Sequence, residues 1–471
     1  MAKKSLILIL GLALVLRLIN LGQSLWLDEA AQAEMSAKSI SYIWEGRGGD
    51  FHPPLYYVLA HFWMKLGQSE IWLRLPSVIA GVATVYVVYL LAGKLHSGKV
   101  VFGKKYSVDF SLLAAFFTAI NPFLIYYSQE FRSYSLLGLL GTSAMYFLFT
   151  RSYWKLSLIN TLLFYTHYSS VFLFLAQIVF VFFYRRSDLR RFLTGVLVSA
   201  VLYLPWFPHL LQQLHSGVNI DIYLPGWRNV LSISPLKALP VILFKLIAGR
   251  ISFISRYLYG VYIVFVFAGA FLSFLISRTQ KSFLSVWLLV PLLTLIVTSL
   301  ALPQNQPFRV IYIAPAICLM LASAAIRFPK LILAFVLYVA LVGNIAYFTR
   351  PRLQREQWRQ AASFLTSVQA PVIVKFPASF APLAWYAPSL PVVPAVSDFP
   401  ARPEQVAANL SSLQGYPGNI YLMEYLTGLT DPNREVDQVL KDLGFAPSGT
   451  YNFEGVGFIY KYQRQIPVQQ L

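Results

Sequence analysis

Five short polar segments interrupt the long apolar runs of this 471-residue chain, and each carries side chains suited to acid–base or phosphate chemistry. The first segment holds two adjacent carboxylates, Asp28 and Glu29, just after the first apolar run. A carboxylate can take a proton from a hydroxyl or an amine, and charges at the edge of an apolar run are costly unless they have a function or a partner. The structural alternative is an acid pair in a solvated loop, with Asp28 as the N-cap of a helix over 29–40.

The other four segments combine cations with aromatic or amide side chains. They are His52-Pro53-Pro54-Leu55-Tyr56, 128–134 with Glu130, Arg132 and Tyr134, Thr166-His167-Tyr168, and 304–309, which ends in Arg309. Arginine binds phosphate through paired hydrogen bonds, and tyrosine suits a membrane interface. Structural alternatives remain open here too: a rigid proline turn, an internal Glu130–Arg132 ion pair, a hydrogen-bonded interfacial His167, and an Arg309 that snorkels to the interface.

The elements that position these segments are predicted to be membrane helices. Hydrophobic residues make up 57% of the chain and charged residues only 12%, about half the charged share of a typical soluble domain. Apolar runs of roughly 20 residues are long enough to span a bilayer. We predict eleven spans, near 5–21, 71–92, 108–125, 133–150, 155–166, 170–184, 192–207, 257–276, 282–301, 309–326 and 330–348.

The distribution of basic residues predicts the orientation of these spans. With a cytoplasmic N-terminus, the main groups of basic residues between the spans all fall on the cytoplasmic side. These are Lys94, Lys99, Lys104, Lys105, Arg151, Lys155, Arg185, Arg186, Arg190, Arg191, Arg278, Lys281, Arg327 and Lys330. To keep these residues on one side, the segment 155–184 must hold two short spans. For the same reason, 236–255 must be an external, interfacial amphipathic helix. All five polar segments then lie on the outer side. Arg17 interrupts the first run, so we expect a retained helix rather than a cleaved signal peptide.

Composition divides the chain at residue 349. Residues 1–349 form the predicted transmembrane module, with external loops at 22–70 and 208–256. Residues 350–471 hold 10 Lys+Arg and 9 Asp+Glu and contain no spanning run. Helix-like pieces (353–369, 401–413, 433–443) alternate there with strand-like pieces (372–376, 419–423, 451–461), which predicts a small external α/β domain. The predicted fold class is therefore a mainly α, polytopic membrane bundle with external juxtamembrane helices and this C-terminal domain.

Charge and cysteine content exclude other classes of protein. A net charge of +19 would suggest nucleic-acid binding in a soluble protein, but here the excess lies in the cytoplasmic loops, so no nucleic-acid partner is expected. The single cysteine, Cys318, lies in an apolar run and permits neither an intrachain disulfide nor a cysteine-based metal site.

The ordered set Leu27-Asp28-Glu29-Ala30, His52-Pro53-Pro54-Leu55-Tyr56, 128–134 and Arg309 resembles GT-C glycosyltransferases. The similar group is the superfamily of protein O-mannosyltransferases and aminoarabinose transferases, which is glycosyltransferase family 39-like. The resemblance implies inverting transfer of a sugar from a polyprenyl-phosphate donor, on the outer face of the cell (plasma) membrane. It implies that Asp28 is the general base, with Glu29 and Glu130 as further acids of the site. It assigns donor-phosphate or substrate binding to His52, Tyr56, Arg132, Tyr134, His167 and Arg309.

Two positions depart from the family pattern. Some relatives carry lysine where this chain has His52, and a neutral histidine binds phosphate more weakly. The family has an Arg-Tyr motif in a late span, but in this chain Val310 and Ile311 separate Arg309 from Tyr312. No obligatory metal is expected, although a divalent ion could stabilise the leaving phosphate. The sugar, and whether the acceptor is protein, lipid or glycan, stay open. The alternative functions are a transporter or flippase of lipid-linked sugars, or a non-catalytic scaffold.

Overall fold

A computed structural model describes residues 2–46, 52–103, 106–219, 226–253 and 255–465 of the chain. Lys104 and Lys105 lie outside the described residues. The chain divides into two compact units. The first comprises Met1–Gly22, Ser36–Val218 and Leu231–Leu353, and the second comprises Gln23–Met35, Asn219–Val230 and Gln354–Leu471. The division near residue 353 lies close to the predicted boundary, but the grouping of Gln23–Met35 with the C-terminal domain was not expected.

Helices dominate the first 349 residues. In chain order, the described α-helices there are α1 (Ala2–Leu18), α2 (Leu27–Ala37), α3 (Ile40–Trp44), α4 (Leu55–Met64), α5 (Glu70–Leu95), α6 (Phe110–Ile120), α7 (Pro122–Ser128), α8 (Tyr134–Phe149), α9 (Tyr153–Thr166), α10 (Ser170–Tyr184), α11 (Leu189–Tyr203), α12 (Phe207–Val218), α13 (Arg228–Leu231), α14 (Pro235–Ala248), α15 (Arg256–Ile276), α16 (Lys281–Thr298), α17 (Ala314–Ala325) and α18 (Pro329–Thr349). A 3₁₀ segment, Pro307–Ile313, precedes α17, and an antiparallel hairpin, β1 (Lys99–Phe102) and β2 (Tyr106–Asp109), follows α5.

Helical segments lie at all eleven predicted spans. Within the described ranges, six helices are long and apolar enough to cross a membrane: Glu70–Leu95, Arg186–Val218, Arg256–Ile276, Lys281–Thr298, Pro307–Ala325 and Pro329–Thr349. The pair α6–α7, bent by 60°, is a seventh if it counts as one span, and α8 and α10 are shorter apolar helices. The chain is thus an integral, multi-pass membrane protein, and the count of eleven stays a prediction.

Helix α17 lies in the apolar core of the first unit. Every residue of α17 is buried, as expected for a helix that neighbouring helices surround. Helix α14 begins one residue before the predicted interfacial segment 236–255 and otherwise lies within it. Its residues Ala238, Ile242 and Leu246 are fully buried in this core, so one face of the helix packs into the bundle.

The C-terminal domain of the second unit is built on a mixed five-stranded sheet in the order β4-β3-β5-β7-β6. Its elements are α19 (Trp358–Ser367), β3 (Val372–Val374), α20 (Ala381–Tyr386), β4 (Val392–Pro394), α21 (Pro403–Asn409), β5 (Ile420–Met423), α22 (Thr427–Thr430), α23 (Glu435–Asp442), β6 (Phe445–Phe453) and β7 (Gly457–Arg464). Strands β4, β3 and β5 run parallel, whereas β7 and β6 are antiparallel. The predicted α/β domain is confirmed. The single strand predicted over 451–461 was wrong, because a turn at Gly455, whose φ of 79° favours glycine, divides it into a hairpin.

Candidate active site

A sharp turn between α7 and α8 carries Glu130 and Arg132 into the interior of the first unit. Helix α7 begins at Pro122, and Asn121 caps it by accepting a hydrogen bond from the Leu124 N–H at 2.9 Å. The chain therefore bends by 60° between α6 and α7, within the span predicted near 108–125. Residues 129–133, which form the turn, are all buried. Because a buried charge is costly without a compensating environment, this placement favours a functional turn.

The amide of Gln129 anchors the same turn to two distant helices. Its Nε2 donates to the backbone oxygens of Ile19 at 2.6 Å and Arg17 at 3.0 Å, beyond and at the end of α1. Its Oε1 accepts a hydrogen bond from the Tyr347 hydroxyl of α18 at 2.8 Å. Since both ends of the amide are used, the turn has a fixed position, which suits a binding site.

Four of the predicted site residues meet beside this turn. The Arg132 guanidinium Nη2 lies 3.5 Å from His52 Nε2 and stacks over the Tyr134 ring, with its Cζ 5.8 Å from the ring centroid. The ring centroids of His52 and His167 are 5.2 Å apart, and those of Tyr134 and His167 are 6.1 Å apart. Tyr56 lies at the back of the turn, where its ring packs 6.0 Å from that of Phe131.

His167 is held as a neutral hydrogen-bond donor. The Ser169 backbone N–H donates to His167 Nδ1 at 3.1 Å, so Nδ1 is the acceptor and the proton of the neutral ring lies on Nε2. Burial, together with the charges of His52, Arg309 and Arg132, lowers the pKa of His167 well below its ordinary value. Within the described part of the chain, the buried Nε2 has no hydrogen-bond partner. A buried N–H donor among cations is suited to an anion.

Arg309 joins this group through Ser169. Arg309 lies in the 3₁₀ segment Pro307–Ile313, and its backbone oxygen accepts a hydrogen bond from Ser169 Oγ at 2.5 Å. The Tyr312 hydroxyl donates to the Ser169 backbone oxygen at 2.8 Å, which fixes the segment from its other end. We call His52, Arg132, His167 and Arg309 the basic cluster. Ser169 was missed by sequence reasoning, because nothing in its neighbourhood marks it as a link to residue 309.

Glu130 lies on a second, aromatic side of the turn. Both Glu130 and Arg250 act electrostatically on the Tyr127 hydroxyl, and the Tyr127 ring is 5.5 Å from that of Tyr134. Arg250 also donates a hydrogen bond to the Tyr126 hydroxyl. Arg250 is thus a further cation near the turn, although its sequence suggested only a charge on an interfacial helix.

Asp28 and Glu29 belong to the second unit. Helix α2 begins at Leu27, so both acids lie in its first turn, where negative charge is favoured by the helix dipole. The structural alternative, in which Asp28 is the N-cap of this helix, was wrong. Trp26 stands at the N-cap, and Glu29, which is fully buried, reaches back so that its Oε2 accepts the Trp26 N–H at 3.4 Å. This is half of a capping box, so Glu29 has a structural role and Asp28 is the more exposed acid.

Glu356 is a carboxyl near Asp28 that sequence reasoning missed. Its Oε2 accepts hydrogen bonds from the Leu27 N–H at 3.4 Å and from Trp358 Nε1 at 2.6 Å. Burial raises the pKa of Glu356 to about 7, with a further contribution from the charge of Asp28. Two carboxyl groups, those of Asp28 and Glu356, thus lie near the start of α2.

No metal-binding group stands out among these residues. Within the described ranges, no three or more His, Cys, Asp and Glu side chains are grouped so that they could hold a metal ion. The expectation that no metal is obligatory stays a prediction.

Comparison with known proteins gives matches at the level of structure only. No family model and no curated protein sequence matches the chain. The structure of ArnT from Cupriavidus metallidurans bound to undecaprenyl phosphate matches with a TM-score of 0.58 and 14% identity, over 98% of each chain. The mycobacterial arabinofuranosyltransferase AftD matches with a TM-score of 0.53 and 13% identity, over 99% of this chain and 40% of AftD. The oligosaccharyltransferase of Archaeoglobus fulgidus in its apo form matches with a TM-score of 0.51 and 12% identity, over 98% of this chain and 75% of that one. At these identities, the likeness shows a shared fold over nearly the whole chain.

Proposed function

We propose that this chain, which has the GT-C fold, is a membrane glycosyltransferase that takes its sugar from a polyprenyl-phosphate donor. The basic cluster carries the proposal. It supplies two arginines and a neutral Nε2–H donor, beside the rings of Tyr134 and Phe308, which are 4.5 Å apart. Such a set suits a phosphate monoester or diester at the membrane interface. The structurally similar ArnT binds undecaprenyl phosphate, a ligand of the same chemical class.

In the proposed reaction, a hydroxyl or amine of the acceptor attacks the anomeric carbon of the sugar. The bond from that carbon to the phosphate oxygen breaks, and polyprenyl phosphate leaves with the bonding electrons. The basic cluster stabilises the charge that grows on this phosphate. Asp28 takes the proton of the acceptor, and attack from the face opposite the phosphate inverts the anomeric centre. Glu130 is proposed as a second acidic residue of the site.

The orientation follows from the positive-inside rule. We propose that the N-terminus is cytoplasmic and that the C-terminal domain lies outside a cell (plasma) membrane. Transfer then takes place on the outer face, where lipid-linked sugars meet protein, lipid or glycan acceptors.

The purified protein, reconstituted in nanodiscs, tests this proposal. Polyprenyl-phosphate sugars, polyprenyl-diphosphate sugars and nucleotide sugars are each offered with protein, lipid and glycan acceptors. We expect polyprenyl phosphate to be released only from polyprenyl-phosphate sugars, and only when an acceptor is present. Turnover of a nucleotide sugar would contradict the donor assignment. The protein is also reconstituted in sealed vesicles, where movement of intact donor across the membrane, without cleavage at the anomeric carbon, would instead support a transporter or flippase.

A further inference from the structure

The segment Gln23–Met35, which contains Asp28, forms hydrogen bonds with residues far along the chain. Four hydrogen bonds join it to the C-terminal domain, across sequence separations of 329 to 361 residues. They run from Arg355 N–H to Gln23 Oε1 (2.8 Å), from Ser24 Oγ to Glu356 O, from Leu25 N–H to Tyr386 Oη (2.6 Å), and from Leu27 N–H to Glu356 Oε2 (3.4 Å). The segment therefore takes its position from the C-terminal domain, within one compact unit.

One of these contacts, together with one local contact, defines where helix α2 begins. The first N–H groups of a helix need acceptors from outside the helix, and Trp26 at the N-cap position has no side-chain oxygen to offer. Glu29 accepts the Trp26 N–H, and Glu356 accepts the next one, from Leu27. Glu356 thus replaces a local capping side chain. Asp28 is the residue that follows, so its carboxylate moves with this cap.

Glu356 is itself firmly held. Its Oε2 accepts the indole N–H of Trp358 at 2.6 Å, and the Tyr425 hydroxyl lies 3.3 Å from both of its carboxyl oxygens. Trp358 is fully buried in an apolar cluster of the domain, against which Leu27 also packs. The cap of α2 is therefore attached to a packed core rather than to a mobile side chain.

We propose that Glu356 is a positioning residue for Asp28, and that the C-terminal domain thereby holds the base of the transfer reaction. This inference rests on the proposed function, in which Asp28 takes the acceptor proton. A displacement of about 1 Å in a reacting group costs roughly 100-fold in rate. The domain is thus required for proton transfer.

Kinetics of variants separate this role from a general structural one. Glu356→Ala removes the cap, and we expect kcat to fall by about 10- to 100-fold while KM for the polyprenyl-phosphate donor stays unchanged. Glu356→Gln keeps an oxygen that can accept the Leu27 N–H, so most of kcat should return. Glu404→Ala, which removes an exposed carboxyl of the same domain, is the matched control and should leave both parameters unchanged.

A wild-type kcat in Glu356→Ala would overturn the inference, as would a loss of kcat that Glu356→Gln does not restore. If Glu356→Ala fails to fold, Tyr386→Phe decides, because it removes only the hydroxyl that accepts the Leu25 N–H. We expect a several-fold lower kcat at unchanged donor KM, and an unchanged kcat would reject the positioning role. Absence of transfer by the wild-type protein would instead count against the proposed function.

Discussion

The backbone N–H of Ser169 donates to Nδ1 of His167 at 3.1 Å, which leaves the ring proton of His167 on Nε2. Protonation of Nδ1 would set two N–H groups against each other, and the neighbouring cations oppose it further. The basic cluster therefore combines permanent charge from two arginines with a neutral donor. A histidine in this state can donate to phosphate over the physiological pH range.

The first prediction concerns this donor. His167→Phe removes the Nε2–H, and we expect KM for the polyprenyl-phosphate donor to rise by about 10-fold or more, as for a lost hydrogen bond to a charged group. His167→Gln keeps a neutral N–H donor and should bind donor within a few fold of wild type. Steady-state kinetics measure both values, with the exposed His215→Gln as a control.

The same assay repeated across pH examines the protonation state. Because the pKa of His167 is lowered, the ring stays neutral, and His167→Gln should leave the pH profile of donor KM unchanged near the ordinary histidine pKa of about 6.5. An inflection there that disappears in His167→Gln would show that the charged imidazolium binds the donor, against this account.

The second prediction concerns the stability of the C-terminal domain. Lys375 is fully buried, and its Nζ lies 2.8 Å from Glu424, 3.0 Å from Asp431 and 3.1 Å from Asp437. Lys375→Met leaves these carboxylates without their shared cation, which should destabilise the domain by about 3–5 kcal/mol. Thermal unfolding measures the loss, and Lys441→Met, at an exposed site, is the control. Equal Tm values for the two variants would show that the buried ion cluster does not stabilise the domain.

The third prediction concerns the pH dependence of stability. Because burial raises the pKa of Glu356 to about 7, the folded state binds this proton more tightly than the unfolded state. The group therefore adds stability below its unfolded pKa, and that stability is lost as pH rises through about 7. Glu356→Gln removes the titration, so its Tm relative to wild type should be a few degrees higher at alkaline pH than at mildly acid pH. A Tm difference that does not change with pH would contradict the shifted pKa.

The sequence predicts the helices well because long apolar runs have few alternatives in a membrane. It also identifies the segments of the basic cluster, since Arg132, His167 and Arg309 stand out against apolar neighbours. The bend before α7 was missed, although Asn121-Pro122 is a recognisable helix start, because the hydrophobic run continues through it. Glu356 was not predictable, because its contact with Leu27 spans 329 residues and depends on how the C-terminal domain folds. Pairings of this kind follow from packing, which local patterns do not encode.

The central claim is transfer of sugar from a polyprenyl-phosphate donor with Asp28 as the base. The most direct measurement compares kcat for such transfer between wild type, Asp28→Asn and Asp398→Asn, the last at an exposed aspartate of the same unit. We predict that Asp28→Asn loses at least about 100-fold in kcat, with intact yield and donor binding, whereas Asp398→Asn behaves as wild type. Transfer by Asp28→Asn at the wild-type rate would contradict the account.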